Sequence, residues 1–324
     1  MAKLSSPRKG SLQFWPRKRA EKQIPSVNWS AVKGKENSSG VLGFIAYKVG
    51  MGTAIIKDNT EHSMTKGKKI FIPVTILEAP NMKIYSIRFY KSGKVIKDIV
   101  VSSDKELKRI LNPPKELKPL DSQIPNDYED VRIIVYSLSK TTGIKKSPDI
   151  IEMALTGNKL ELAKSLLNKE ILVKDFLGNY GLLDVRALTK GQGLSGPVKR
   201  FGITLKQHKT EKGVRRPGSL GPWHPARVTF RTPQAGQLGM FSRVHYNLNV
   251  VFFGSISEKD INPKQGFKHY GKIKTNFFLV KGSVQGPVKR QVLVTPSFRP
   301  TKYLSKKKYE FLEYSNRSAL VQIH

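Results

Sequence analysis

Residues 186–231 constrain this chain more than any other stretch: RALTKGQGLSGPVKRFGITLKQHKTEKGVRRPGSLGPWHPARVTFR. Lysine or arginine recurs every few positions, from Arg186, Lys190, Lys199 and Arg200 through Lys206, Lys209, Lys212, Arg215 and Arg216 to Arg227 and Arg231, and only Glu211 opposes them. Glycine and proline interrupt every regular pattern, and the apolar residues are too sparse for an amphipathic helix or a row of strands. A loop of this length without a core of its own is not stable inside a compact domain, so a partner outside the protein must order it. Cations on a glycine-rich backbone suit a polyphosphate, because amide N–H groups and side-chain charges both reach phosphate oxygens. The stretch reads as an arm that lies against nucleic acid.

The whole chain supports that reading. Lysine and arginine outnumber aspartate and glutamate by 58 to 24 over 324 residues, a net charge of +34. Such an excess repels itself in a compact fold, and a polyanionic partner relieves it. A basic protein of the membrane surface would need an amphipathic helix or a lipidation signal, and neither is found. There is no cysteine, hence no disulfide, thiolate metal site or cysteine nucleophile. The absence of a membrane-length apolar run and of a signal-peptide core predicts a soluble intracellular protein. The charge is unevenly placed: residues 101–185 hold thirteen acids and thirteen bases, so the remainder carries the excess. A neutral segment inside a basic chain reads as an inserted subdomain facing solvent or protein.

In order, the chain divides into a basic leader (1–40), a first part of a β-barrel (41–100), the neutral insert (101–185), the arm (186–231), a second part of the barrel (232–298) and a basic tail (299–324). Trp15 and Trp29 sit among the leader's charges, Arg8, Lys9, Arg17, Lys18 and Arg19 included, as in a segment that orders on RNA by stacking aromatics on bases. From Val41, short runs of Ile, Val, Phe and Tyr separated by turns predict strands of an antiparallel barrel or sandwich, with Pro73 at an edge or bulge. In the insert, a Ser103/Glu106 capping box predicts a helix over 104–111 and Ser147-Pro148 a helix through Leu155. Asn158 opens a third helix through Leu167, while 131–138 and 171–173 read as strands. The runs at 244–256, 274–284 and 291–298 complete the sheet begun at Val41. The fold class is therefore mainly β with an α/β insert.

Several motifs need weighing. GQGLSG (191–196) matches the dinucleotide fingerprint, which requires a strand before it and a helix holding the pyrophosphate after it. Pro197–Gly202 lacks an apolar helical face, so an RNA-modifying enzyme with a nucleotide cofactor is only the second reading. The six histidines show no metal-ligand spacing, and no hydrolase elbow appears. No catalytic residue, metal, cofactor or small-molecule substrate is expected. GPVKR occurs at 196–200 and 286–290, each after a Lys-Gly pair (Lys190-Gly191, Lys281-Gly282), which suggests two phosphate-binding turns. GSLGPWHPAR (218–227) holds Trp223 between prolines, either packed on the barrel or placed between RNA elements with Arg215, Arg216 and Arg227 on phosphates.

GKENSSGVLGFIAYKVGM, IPVTILEAP, TKGQGLSGPVKR, GSLGPWHPARV, AGQLGMFSR and KGSVQGPVKR, in this order along the chain, resemble the universal large-subunit ribosomal protein L-three family in its archaeal or eukaryotic form, the short C-terminus favouring archaea. The resemblance implies a closed, translation-factor-like antiparallel β-barrel with an α/β insert and long basic extensions buried in ribosomal RNA. It implies a structural constituent of the cytoplasmic large subunit, without enzymatic activity or membrane contact. Family members bind the large-subunit RNA near its 3′ end early in assembly, beside other ribosomal proteins. Their central extension reaches toward the peptidyl transferase centre, with a tip tryptophan matched by Trp223. Gln237 matches a position that bacterial members can methylate. The expected RNA-binding residues are Arg8, Lys9, Trp15, Arg17, Lys18, Arg19, Lys190, Lys199, Arg200, His208, Arg215, Arg216, Trp223, His224, Arg227, Arg243, Lys281, Lys289 and Arg290.

Overall fold

Branched and aromatic residues at alternate positions favour a pleated, half-buried backbone, and from residue 40 onward the chain forms strands. A computed structural model describes residues 11–32, 34 and 40–315. The first strands are β1 (Gly40–Val41), β2 (Phe44–Asp58), β3 (Lys69–Glu78), β4 (Met82–Lys91) and β5 (Lys94–Val100). Then come β6 (Asp130–Ser137), β7 (Ile150–Thr156), β8 (Leu182–Leu188) and the two-residue strands β9 (Leu194–Ser195) and β10 (Gly236–Gln237). The last are β11 (Ser242–Ser255), β12 (Asn276–Lys281), β13 (Gln291–Pro296) and β14 (Tyr309–Ser315). Helices are short: α1 (Ser139–Thr142), α2 (Lys159–Ser165), α3 (Val173–Leu177), α4 (Pro197–Phe201) and α5 (Lys302–Ser305). The described residues fall into two compact units, one made of 11–23 with 188–243 and the other of 24–187 with 244–315.

In the larger unit, a five-stranded sheet runs β1-β7-β6-β4-β5 and a seven-stranded sheet runs β13-β8-β11-β12-β3-β2-β14, with β13 also paired to β2. The ladders β2–β3, β3–β12, β11–β12, β8–β13 and β2–β13 are antiparallel. Strand β12 shows how sequence alternation builds the packing. Successive strand residues point to opposite faces. Phe278 and Val280 join one core, shared with Ile84, Ile87, Ile133 and Val135 of the five-stranded sheet. Phe277 and Leu279 join a second core, with Val49, Ile56, Ile72, Val74 and Ile76. Each of these side chains is worth about 1.5–3 kcal/mol when fully buried. A one-residue slip of β12 would exchange the two sets.

Pro73 lies inside β3, opposite Thr53 of β2. Ladder β3–β12 ends at Val74, opposite Lys281, so beyond that point β3 has a free edge and the missing N–H removes no bond. The Pro73 carbonyl still accepts from Gly282 N at 2.8 Å.

Three expectations for 101–185 fail, each to tertiary pairing. Residues 150–156 form β7, not a helix, paired to β6 on one side and β1 on the other. The Ser147-Pro148 signal is overridden because Ile150 and Ile151 suit a strand and Asp149 is already held, taking Tyr47 Oη at 2.6 Å and Lys145 Nζ at 2.5 Å. Residues 104–111 make only a 3₁₀ turn at Leu107–Arg109, since the Asp104 carboxylate is taken by Tyr136 Oη. Residues 171–173 form no strand: Ile171 makes a single bridge to Met82, and α3 begins at Val173. Helix α2 follows Asn158 as expected. Strand β4 pairs with β6, and β5 with β4, rather than entering the seven-stranded sheet, because Ile84, Ile87 and Phe89 lie opposite Val135, Ile133 and Val131.

The neutral charge balance also has a structural form. On the five-stranded sheet Arg88 meets Asp98 at 2.7 Å and Glu152 at 3.3 Å, while Arg132 meets Glu152 at 3.1 Å and Asp130 at 3.0 Å. Lys159 completes the chain on Asp130. Cations there are held by this chain's own carboxylates.

Buried carboxylates pin loops. Glu78, fully buried, accepts from Lys274 N at 2.9 Å, Thr275 N at 3.0 Å, Thr275 Oγ1 at 2.9 Å and Tyr270 Oη. Asp58 closes the β2–β3 turn. Burial raises its pKa, but hydrogen bonds from Thr60, Thr65 and Ser63 outweigh it and hold the carboxyl well below its ordinary value. A depressed folded-state pKa stabilises above the unfolded value of about 3.9 and is lost as pH falls through the folded one. Asp58→Asn should therefore lower stability by about 2 kcal/mol at neutral pH. Urea unfolding of both proteins at stepwise lower pH should show the difference narrowing only below about pH 4. A gap that stays constant into acid would contradict this role.

Candidate nucleic-acid interface

The smaller unit is strongly basic. Residues 11–23 carry four basic side chains and residues 188–243 eleven, against Glu21 and Glu211 alone. Within the described residues the unit's ion pair is Lys18–Glu21, at 3.5 Å. No described carboxylate pairs with Lys190, Lys199, Lys206, Lys209, Lys212, Arg215, Arg216, Arg227 or Arg231, and all nine are exposed.

Local chemistry explains the shape. The first residues of the predicted arm, 186–188, are the end of buried strand β8, where Arg186 donates to Thr295 Oγ1. The arm proper leaves β8 and returns into β11, two neighbouring strands, and is closed at its root by Thr189 N to Phe241 O at 2.9 Å. Next comes the β9–β10 ladder, with Ser195 opposite Gly236 and Leu194 opposite Gln237. Gly239 is required here: its φ is +78°, and a Cβ would lie 1.9 Å from the Lys190 carbonyl oxygen. Pro197 opens α4 at a position where its missing N–H is harmless, and left-handed Gly202 ends it after five residues. The GQGLSG loop thus precedes a helix, but one of little more than a turn.

Beyond Gly202 the arm has turns only. Lys206 N bonds Val214 O at 3.0 Å, and Thr232 Oγ1 reaches Leu220 O at 2.9 Å. His208, Arg215, Arg216, His224 and Arg227 are exposed along it. Trp223 is 86% exposed, with its ring edge-on to His224 at 6.3 Å. Its indole is therefore displayed rather than buried. Trp29 does the opposite: it is 6% exposed within the first core, against Gly43. The expectation that both leader tryptophans stack on bases does not hold for Trp29. Burying an indole contributes more than displaying it.

The predicted residues are brought together unevenly. Arg8 and Lys9 lie outside the described residues. Lys18 and Arg19 are exposed, whereas Trp15 and Arg17 are partly buried. Trp15 lies 6.3 Å from the ring of Phe201 and 5.4 Å from that of Phe230. Arg17 covers Phe201 at 4.1 Å, and Arg243 covers Phe14 at 4.0 Å. Arg200 faces backbone carbonyls, and burial pushes its pKa down, as it does for Arg243. Gln237 turns its amide Nε2 to Leu238 O at 3.1 Å and Gly239 O at 3.2 Å. Sequence reading missed Phe201, Phe230 and Phe241. Their signal was adjacency, since Arg200-Phe201, Phe230-Arg231 and Phe241-Ser242-Arg243 interleave arginine with rings.

The second GPVKR turn belongs to the larger unit and has a different conformation. Arg290 N bonds Pro287 O at 3.3 Å, with Gly286 and Lys289 left-handed, and β13 begins directly after it at Gln291, whereas the first copy is itself the start of helix α4. Lys48 of β2, buried, supports the turn from behind through Gly286 O at 3.0 Å and Val284 O. That lysine too was not anticipated. Lys281 donates to Tyr309 Oη at 2.9 Å, Lys289 is exposed and Arg290 is partly buried.

Among the described residues no cluster of three His, Asp or Glu side chains is arranged for a metal, and no helix is long and apolar enough to cross a membrane. The two tryptophans make a direct test. Trp29→Ala should cost about 3–5 kcal/mol. Trp223→Ala should stay within about 0.5 kcal/mol of the parent, as for an exposed side chain. Chemical denaturation of both variants reads the contrast.

A family model described as "Ribosomal protein L3" matches residues 1–112 and 103–319. Among curated proteins, the "Large ribosomal subunit protein uL3" of Methanococcus vannielii is 40% identical over 92% of this chain and 93% of its own length. That of Archaeoglobus fulgidus is 40% identical over 93% and 94%, and that of Methanocella arvoryzae 37% identical over 99% and 100%.

Proposed function

The chain belongs to the ribosomal protein L3 family, and from that premise we propose that its exposed cations anchor it in large-subunit RNA. It is a structural constituent of the large ribosomal subunit in the cytoplasm, of archaeal type, and not an enzyme. Its partners are large-subunit RNA and neighbouring ribosomal proteins.

One observation carries the reading. Between Gly202 and Thr232 the arm displays exposed basic side chains that form no ion pair among the described residues, with Glu211 as the one carboxylate among them, and Trp223 is 86% exposed. Phosphates are the missing counter-charge, and an exposed indole on a cationic arm suits stacking on a base. Lys18, Arg19, Lys190, Lys199, His208, Arg215, Arg216, His224, Arg227, Lys281, Lys289 and Arg290 are the proposed phosphate and base contacts, with Arg8 and Lys9 beyond the described residues. The larger unit is the folded anchor. We read six strands of its larger sheet, β13-β8-β11-β12-β3-β2, as a closed barrel, because β13 pairs with β8 on one edge and with β2 on the other, while β14 is added outside the ring on β2. The extension would point toward the peptidyl transferase centre, with RNA bound near its 3′ end early in assembly. Trp223 would set the position of the tip without performing chemistry.

Each neutralised phosphate releases counterions, and log K falls with log[salt] with a slope of about −0.9 per phosphate contact on duplex and −0.7 on single strands. Replacing both Arg215 and Arg216 by alanine should therefore flatten the slope by about 1.4–1.8. Binding of the purified protein to large-subunit RNA across a salt series measures it. A slope equal to the parent's would remove these two arginines from the interface. Trp223→Ala should leave subunit assembly intact while altering translation or its antibiotic response, measured in cells carrying only the variant.

A further inference from the structure

Four of the side chains expected on RNA lie in the protein's own interior contacts. Arg200 is the centre. Its Nε donates to Gln237 O at 3.0 Å, its Nη1 to Gln234 O at 3.1 Å and its Nη2 to Arg17 O at 3.3 Å. Those carbonyls come from the returning limb of the arm and from the leader. Arg17 reciprocates by donating to Arg200 O. Gly236 leaves the space: a Cβ there would lie 2.9 Å from Arg200 Cζ. Around this exchange lie the rings, with Trp15 tilted against both Phe201 and Phe230 and Arg17 Cζ 4.1 Å from the centre of the Phe201 ring. A second arginine–ring contact, Arg243 on Phe14 and Phe241, and the bond from Ala20 N to Met240 O at 2.9 Å tie the leader down further along.

We propose that Arg200, with Trp15, Arg17 and Arg243, is a positioning group that clasps the leader onto the root of the central arm, so that the RNA-facing surface is assembled before RNA arrives. The inference rests on the RNA-binding reading for its purpose but not for its geometry. A guanidinium is suited to the task where an ammonium is not: it offers a planar fork to several carbonyls while its faces lie on rings. N–H groups engaged with three carbonyls are not those a phosphate would take. Ordering the segment within the protein removes a conformational cost that binding would otherwise bear.

The test uses the full-length protein, with large-subunit RNA as the probe. In the free protein, amide hydrogen exchange at 14–20 and 234–241 should be protected, and Arg200→Lys should speed it at least tenfold there while leaving β12 unchanged. RNA affinity of that variant should fall several-fold at every salt concentration with the slope of log K against log[salt] preserved. Arg215→Ala should do the reverse, flattening the slope by about 0.7–0.9 without changing exchange. Unprotected exchange at 14–20 in the free parent would overturn the clasp outright. So would an Arg200→Lys variant with parental exchange and affinity, since lysine can replace arginine on a phosphate but not on three carbonyls and a ring. Protected exchange that Arg200→Lys relaxes, in a protein with no salt-dependent affinity for this RNA, would uphold the clasp and remove the RNA-binding reading instead.

Discussion

A chain with 58 lysines and arginines and 24 carboxylates cannot pair most of its cations, and where the few acids are placed decides what the remaining cations can do. The larger unit takes nearly all of them. Glu78 and Asp58 serve backbone and hydroxyl donors of turns, and Asp184 accepts from Asn247 N and Phe298 N at 2.9 Å each. Asp98, Asp130 and Glu152 neutralise Arg88, Arg132 and Lys159 on the five-stranded sheet. The arm is left with Glu211 alone. The distribution of one residue class thus gives the larger unit its ion pairs and pinned turns and leaves the arm its uncompensated positive charge.

Two kinds of arginine follow from that distribution. An arginine surrounded by solvent keeps its donors for a ligand. An arginine pressed between carbonyls and rings becomes a structural part, and its charge is tolerated because carbonyl dipoles replace water. Arg215 and Arg216 are of the first kind and Arg200 of the second, within one basic stretch of sequence.

Sequence reading recovered what depends on local pattern or on long motif order. The alternation at β2, β3, β11, β12 and β13 marked the strands, and the unbroken basic, glycine-rich run marked the arm. It failed where distant partners decide. Ile150–Thr156 carries a helix-start signal but lies between β6 and β1, and a single sequence does not disclose those neighbours. The same limit hid the fate of Trp29, Trp15 and Arg200. Burial is a property of what packs on a residue, not of the residue, and the two GPVKR copies make the point: identical pentapeptides become a helix in one place and a turn in the other.

The arm leaves one strand and re-enters the strand beside it, so its two ends sit about one strand spacing apart, roughly 4.8 Å in a regular sheet. Topologically it is a hairpin loop enlarged by some fifty residues (189–241). Closing a loop becomes only slowly harder as it lengthens, each doubling adding about 0.6 kcal/mol. The sheet is thus nearly indifferent to what is inserted there. An excursion of this kind can be lengthened, shortened or recast by mutation while the rest of the fold stays as it is, which leaves its length and composition free to evolve independently of stability.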